Sequence, residues 1–463
     1  MSYGRRIIYS DAKEITAENV VDEVRKAYLV HAANQTEIKK LHEVYRGKTD
    51  ILTKVKEVRE SINHKVNESR AWQITNFYNG YCFGEPVQYV RRENTQRDEA
   101  DDAIAADINS LNGYAYAAGK ASCDKKLGEW MFIAGQGYRM TLPNKAWTKD
   151  GDESPFTMKA LRPTQTFIIY SSDVDEHVLA SVHVANRQDN EKVFSVYTDK
   201  NQFEFTEFGN VTTKPNPMQM NPIVEYPLEE SRLGVFEVVL DLLNALNELQ
   251  SNRMDDIVQF VNSFLAVLGA ELDEETYKKL EEWKTLCLPE NSDAKYLSGN
   301  LSQADVQTLK NDILDAIVTI TGIPNRNGSS AGDNGVAVQL RDGWQDAEAR
   351  AKGVETMFKE AETKTLKLIL RILRDTTGTS LKLSDIDVHF TRRNYENIAS
   401  KSQVLVAMLN NPKIHPELAF QHCGMFPDPE SAYLQSMAYY EEQMKKWEPV
   451  AVDEDDVGGD EDV

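Results

Sequence analysis

Ser302-Gln303-Ala304-Asp305-Val306 opens, and Leu373-Arg374 closes, a stretch patterned as two helices with a polar loop between them. Ser302 and Asp305 stand at the two ends of a capping box in its Asp variant, where side chains satisfy the free amides of a helix start. Leu301 and Val306 take the flanking staple positions. Apolar residues then recur at Leu309, Ile313, Ile317 and Ile320, which predicts a helix with one buried face. Gly322-Ile323-Pro324 stops it. The run Asn325-Arg326-Asn327-Gly328-Ser329-Ser330-Ala331-Gly332-Asp333-Asn334-Gly335 has almost nothing to bury and reads as a polar loop. From Val336 the helical pattern resumes for roughly 40 residues, on the order of 60 Å of helix. A long rigid element tipped by a polar loop suggests a loop held where something passes or docks.

Before this stretch, Val239, Leu242, Leu243, Leu246 and Leu249 form a second helical stripe. It predicts a helix from near Pro227 that continues to Leu268 and ends at Gly269. Between the two helices lies a small insert, Ala270 to Gly299, with one short acidic helix and the turn Pro289-Glu290-Asn291-Ser292-Asp293. Further upstream, Trp130 to Tyr226 is rich in β-branched and aromatic runs such as Phe167-Ile168-Ile169-Tyr170, broken by turns such as Arg187-Gln188-Asp189-Asn190. That texture predicts a mixed region with a largely antiparallel sheet. Residues 12 to 60 read as helical, Leu381 to Phe390 as a strand and Asn397 to Lys446 as helical again. A strand that returns after the helical excursion makes the excursion a protrusion from a main body. There is no internal repeat.

At 463 residues, the chain has room for about two to four domains. Its 41% hydrophobic and 9% aromatic content is that of a globular, soluble chain. No apolar run reaches a membrane-spanning length, and Met1-Ser2-Tyr3-Gly4-Arg5-Arg6 leads into no signal-type block, so the protein is expected to stay where it is made. Cys82, Cys123, Cys287 and Cys423 lie far apart without a C-x-x-C pair, as buried free thiols of a reducing compartment would. The net charge of −22 argues against a basic-patch DNA binder, because counterion release needs clustered Lys and Arg. It leaves open a surface past which DNA moves without sticking. Asp453-Glu454-Asp455-Asp456-Val457-Gly458-Gly459-Asp460-Glu461-Asp462 reads as a disordered acidic tail, lacking the spacing of a calcium loop.

Catalytic constellations are not found. Gly135-x-Gly137 lacks the third Gly and the Lys-Ser/Thr of a nucleotide loop and reads as a turn between strands. His177 and His183, and His389 and His422 beside Cys423, have no further ligand at metal-binding spacing. No G-x-S-x-G, H-E-x-x-H or Walker pattern occurs. Neither a metal site nor a cofactor is expected.

Five local motifs in a fixed order carry a resemblance. They are Tyr45-Arg46-Gly47 with Ile51-Leu52; Asn76 to Gly80 with Tyr81, Gly84 and Pro86; and Gly135-x-Gly137-Tyr138 followed by Tyr170. The fourth is Asn221-Pro222-Ile223-Val224-Glu225-Tyr226-Pro227, leading to Ser231, Leu243, Leu246, Asn247, Ser251 and Asn252. The fifth runs from Ile313 through Gly322-Ile323-Pro324 to Gly335-Val336-Ala337. Over about residues 40 to 440 the chain resembles the portal proteins of tailed bacteriophages, the siphophage-type family.

The resemblance implies an α+β, portal-type fold. Its parts would be N-terminal helices and an α/β wing (1–230), a stem helix (231–262), a clip (263–301) and a second stem helix (302–322). A tunnel loop (323–334), a tunnel helix (335–376), a returning wing strand (377–396), a helical crown (397–448) and the acidic tail (449–463) would follow. It implies a structural, non-enzymatic protein: a ring of twelve subunits at the capsid vertex of the virion, assembled in the host cytoplasm, through which double-stranded DNA is packaged and ejected. Expected partners are the terminase large subunit, capsid and scaffolding proteins and a head-completion or tail adaptor, with no membrane. In the loop, Asn325, Asn327, Ser329 and Ser330 can hydrogen-bond phosphates transiently and Arg326 adds one positive charge, with Gly328, Asp333 and Asn334 completing it. In the clip, Asp273, Glu274, Glu275, Glu281 and Glu282 would meet a basic partner face. An ordinary solvent loop and a solvated helix surface are the plainer readings of these two segments. The alternative function is a metal-dependent hydrolase or nuclease using scattered carboxylates.

Overall fold

The computed structural model describes residues 4–56, 62–92, 100–149, 151–187, 191–207, 211–261, 264–268, 293–297, 303–324, 343–391, 398–426 and 429–447. It is a mixed α+β structure. After the short strand β1 (Tyr9–Ser10), helix α1 spans Val20–Tyr45. It is shorter at both ends than the 12–60 expected: Asp22 and Glu23 favour its first turn, and the Arg46 N–H closes its last turn onto the His42 carbonyl. Helix α2 (Arg70–Phe83), strand β2 (Gln88–Arg91) and helices α3 (Ala100–Ala117) and α4 (Lys120–Ala134) follow. Gly135 then caps α4 at φ +75°, where an added Cβ would meet the Arg232 carbonyl oxygen at 2.0 Å. The Gly135-x-Gly137 motif is thus a turn from helix to strand, not between two strands, because the chain reverses at the end of a helix that packs under its own strand.

The β-rich region forms two sheets. Strands β3 (Gln136–Pro143), β4 (Phe156–Leu161) and β10 (Ile223–Pro227) make an antiparallel sheet in the order β10-β3-β4. Strands β5 (Thr166–Ser171), β6 (Val178–Asn186), β7 (Lys192–Tyr197), β8 (Asn201–Thr206) and β9 (Thr212–Pro215) form a meander, with β1 added parallel to β5 at its edge. The largely antiparallel prediction holds. One face of the meander buries Phe167, Ile169, Val182, Val196 and Phe203 against the first half of α1, through Val20, Val24 and Ala27. The second half of α1, through Leu41 and Val44, belongs to the main core with α2, α4 and β10. One helix therefore joins two cores.

Helix α5 runs over Leu240–Val261, preceded by a 3-10 turn at Glu237–Val239. It starts later than Ser231 because the preceding backbone is pinned: the Val235 N–H donates to the Phe132 carbonyl, and the Glu237 carboxylate accepts from Gly234 N–H and Arg5. The helix does not continue to Leu268. Phe264–Leu268 is strand β11, paired antiparallel with β12 (Asp293–Leu297) in a register that sets Phe264 opposite Leu297. A short continuous apolar run fits either state by pattern, and the pairing decides it. Helix α6 (Gln303–Thr321) returns along α5, so the two form an antiparallel pair tipped by the β11–β12 hairpin.

Helix α7 covers Trp344–Thr376, which at 33 residues is about 50 Å. Gly343 at φ +78° stands at its N-cap, and the expected helical stretch from Val336 to Asp342 lies outside the described residues. The returning strand is β13 (Ile386–His389), and it pairs with β2, outside both larger sheets. Three helices, α8 (Ile398–Leu409), α9 (Pro416–Cys423) and α10 (Pro429–Trp447), occupy the C-terminal helical stretch. No helix among the described residues is long and apolar enough to cross a membrane.

Candidate functional site

The protruding pair α5 and α6 is held by a polar device. Asn247, Ser251 and Asp255 recur every fourth residue of α5 and are buried. Each accepts a hydrogen bond from a backbone N–H of the segment running beside the helix: Asn247 from Glu68 at 3.0 Å, Ser251 from Val66 at 2.9 Å and Asp255 from His64 at 2.7 Å. Four residues of helix advance about 6 Å. Two residues of extended chain advance about 6.6 Å. The near match lets alternate amides of residues 64–68 find successive turns of α5, much as a strand finds its neighbour. Asp255 also holds the Lys56 ammonium, and the His64 ring lies 2.8 Å from it. Glu68 gathers Arg70 at 2.8 Å, Gln250 at 2.7 Å and Lys310 of α6 at 3.3 Å. Arg253 joins the helices directly through Gln303 (2.7 Å) and Gln307 (2.9 Å).

The apolar face of α6 is only partly covered. Ile317 is buried and Ile313 half-buried, whereas Leu309 and Ile320 are exposed, so the expected single buried face is corrected. Met254 and Ile257 of α5 are exposed as well. Two helices cannot enclose a stripe this wide, and the remainder faces outward.

Both ends of the polar loop rest on α2. The Tyr78 hydroxyl donates to the Thr321 carbonyl at 2.5 Å, at the last turn of α6, and burial pushes that phenol up to about 12. Gly322 follows at φ +67°, with an added Cβ placed 2.4 Å from the Arg350 Nε of α7. On the other side, Trp344 lies 6.1 Å from Phe77 and 6.0 Å from Tyr81, and Tyr81 donates to Glu348 at 2.7 Å. The motif Asn76 to Tyr81 is thus an aromatic ledge on which α6 ends and α7 begins.

Helix α7 is anchored by a buried charge cluster that the sequence reading missed. Glu362 contacts Arg139 of β3 at 2.6 Å and Lys120 of α4 at 3.4 Å. It accepts hydrogen bonds from Tyr89 of β2 at 2.7 Å and Tyr226 of β10 at 2.6 Å. Asp124 pairs with both Lys120 (2.6 Å) and Arg139, so two cations face two anions. Burial pushes the Glu362 carboxyl up, but Arg139 and Lys120 outweigh it and hold it well below the ordinary carboxylate range. Arg139 and Glu362 stand 223 positions apart, and no local pattern pairs them.

Several sequence-derived sites have structural partners. His177 and His183 hydrogen-bond Ser171 and Thr166, each at 2.9 Å. Cys82, Cys123 and Cys423 are buried free thiols; Cys287 lies outside the described residues. The loop residues Asn325, Arg326, Asn327, Gly328, Ser329, Ser330, Asp333 and Asn334 also lie outside them. So do Asp273, Glu274, Glu275, Glu281 and Glu282, the Ser302 cap with Leu301, and residues 448–463. Asn247 and Ser251 were visible only as motif members. Their signal was polar residues at every fourth position of an otherwise apolar helix.

Residues 28–450 match the family described as Phage portal protein, SPP1 Gp6-like. No curated protein matches the chain. Among solved structures, the neck of an empty GTA particle computed with C6 symmetry is similar at a TM-score of 0.46 and 13% identity, over 77% of this chain and 90% of that one. The virion of a native gene transfer agent particle is similar at 0.45 and 12%, over the same shares. The neck of a native GTA particle computed with C12 symmetry follows at 0.42 and 12%, again over 77% and 90%.

Proposed function

The chain belongs to the phage portal protein family, SPP1 Gp6-like, and from that premise we propose that the antiparallel pair α5 and α6 is the stem of its ring. The protein is a structural component of the virion, a portal ring at the capsid vertex through which double-stranded DNA passes. The observation that carries the stem assignment is the uncovered apolar stripe: Leu309 and Ile320, with Met254 and Ile257, remain exposed on a protruding helix pair in the single subunit. A cyclic ring needs two different faces to meet head to tail, and this stripe supplies one of them.

The remaining parts follow the same reading. The meander with its covering helix is the wing. The β11–β12 hairpin and the residues between its strands are the clip, docking the terminase large subunit and later the head-completion or tail adaptor through acidic residues Asp273 to Glu282. The loop from Ile323 to Asn334 is the tunnel loop, α7 the tunnel helix, and α8 to α10 the crown. Exposed Val406, Leu434, Tyr439, Tyr440 and Met444 support a crown packed against its neighbours. Twelve subunits of an acidic chain make an electronegative lumen that keeps DNA centred and mobile. Capsid and scaffolding proteins surround the ring during assembly in the host cytoplasm, and the packaging ATPase is a separate protein. The loop slides along DNA rather than grips it, since Arg326 is the one cation between Ile323 and Asn334 and makes no sticky patch. Among the described residues no three His, Cys, Asp or Glu side chains converge where they could share a cation.

Deleting Asn325 to Gly332 tests the reading. Negative-stain images are expected to show rings with a central hole, while DNA packaging or retention falls. A chain that no longer folds would make the loop structural, and a monomer at all concentrations in the parent protein would remove the portal reading itself.

A further inference from the structure

Away from the stem, α1 and α4 flank an open cleft of about 520 Å³. Lys39, His42 and Glu43 of α1 and Arg46 at its C-cap line it from one face, at helical spacing. Glu129 and Trp130 of α4 form the opposite wall, and Arg162 and Thr164, just before β5, close one end. The floor is aromatic: the His42 and Trp130 rings lie 4.9 Å apart.

The charge here runs against the rest of the chain. In a protein of net charge −22, this cleft collects Lys39, Arg46, Lys48 and Arg162. Lys48 pairs with Glu43 at 3.4 Å, which cancels one carboxylate on the rim, and Lys39 donates to the neutral Gln35. The guanidinium groups of Arg46 and Arg162 have no ion pair or hydrogen bond among the described residues. Their combined field is felt on the floor: burial lowers the His42 ring first, and Arg46 and Arg162 lower it further. Two unpaired arginines converging over a half-buried aromatic floor form a receptor for an anion.

We propose that the cleft binds a carboxylate-rich peptide, and that the peptide is the acidic C-terminal segment of the chain itself, Asp453-Glu454-Asp455-Asp456 to Asp460-Glu461-Asp462. Charge complementarity selects it, for no other stretch of the sequence concentrates carboxylates so densely. Tethering makes a contact built from exposed charges effective: each pair alone contributes little, but a linked segment meets its site at an effective concentration of about millimolar. Residues 448–463, fully extended, reach at most about 55 Å from the end of α10. A nucleic-acid track is less well served. Glu43 and Glu129 interrupt the cations and leave no continuous basic track for a long phosphate backbone. The assignment does not depend on the portal reading and can fail without it.

The test uses the full chain with a zero-length carbodiimide, which joins a carboxylate to a lysine amine only where the two touch. Tryptic digestion and mass spectrometry are expected to find the peptide beginning at Trp447 linked to Lys39 or Lys48. The yield is expected to fall about tenfold at 1 M salt, where the screening length shrinks to about 3 Å, and comparably in an R46E/R162E chain, which keeps both lysines. Mixing isotopically light and heavy chains tells whether the segment comes from the same copy or a neighbour. Tail links spread over other lysines, or a yield unchanged in R46E/R162E, would overturn the proposal. Protection of Lys39 and Lys48 by duplex DNA without any tail link would replace it with a phosphate site.

Discussion

Replacing Glu362 by Gln keeps the side chain's shape and removes its charge from the middle of the buried cluster. Arg139 at 2.6 Å and Lys120 at 3.4 Å then share Asp124 alone, which leaves one cation uncompensated where neither side chain reaches solvent. Breaking a buried pair in this way costs about 3–5 kcal/mol. The hydrogen bonds from Tyr89 and Tyr226 weaken as their acceptor becomes neutral, within the same range. That is a large share of the roughly 5–15 kcal/mol by which a domain is stable. Urea denaturation should register the loss as a lower midpoint, and hydrogen exchange should rise first in β2, β3, β10 and the centre of α7. An Arg139→Met change added to Glu362→Gln leaves Lys120 paired with Asp124, so the double variant should recover about 2 kcal/mol relative to the sum of the singles. The sign with pH is fixed too. The Glu362 carboxyl is held below its unfolded value, so its stabilisation is present above the ordinary carboxylate range and is lost as the pH falls beneath it. A cost below about 1 kcal/mol for Glu362→Gln, or strict additivity in the double variant, refutes the cluster as the anchor of α7.

Ser251→Ala strips the Val66 N–H of its acceptor; a loss of about 1–3 kcal/mol is expected, read as faster amide exchange at Val66 with Glu68 and His64 following. His31, stacked on Phe167 at 4.5 Å, is pushed by burial from its ordinary 6.5 down to about 4. The unfolded chain then binds the extra proton between those values, so stability is complete above pH 6.5 and falls as the pH drops toward 4, by up to about 3 kcal/mol. A His31→Phe chain should show a flatter midpoint-against-pH profile over that range; an unchanged profile counts against the assignment. Gly322→Ala should cost about 1–2 kcal/mol for the left-handed backbone, with Arg350 displaced as well, measurable as a lower Tm with the ring retained.

The sheets and α1 were legible because their residues alternate or recur with a single period and each buries one face. The end of α5 was not: Phe264 to Leu268 is uniformly apolar, and only its partner Asp293–Leu297 makes it a strand. The start of α5 misled for a different reason. Ser231 to Phe236 is helix-compatible in composition, yet its amides are taken by Phe132 and Glu237. Leu309 and Ile320 have the period of a buried face, and period records what a face is made for rather than what covers it in one subunit. The charge cluster was invisible because Lys120, Arg139 and Glu362 sit in segments that meet only after folding. The family motifs, by contrast, turned out to mark joints: Asn76 to Tyr81 carries both loop roots, and Asn247 and Ser251 hold the segment beside the stem.

That charge cluster also limits how the molecule can move. Glu362 is gripped at one point along about 50 Å of helix, by groups from three strands and a neighbouring helix. Sliding α7 along its axis by a single turn, about 5.4 Å, would part every one of those contacts at once and bury the severed charges. Tilting is opposed as well, because Ala351, Val354 and Phe358 on one side of that point and Ile369 and Leu373 on the other are buried in the same core. Force applied at the loop end is therefore met by the whole length of the helix, which moves together with the body it is packed in.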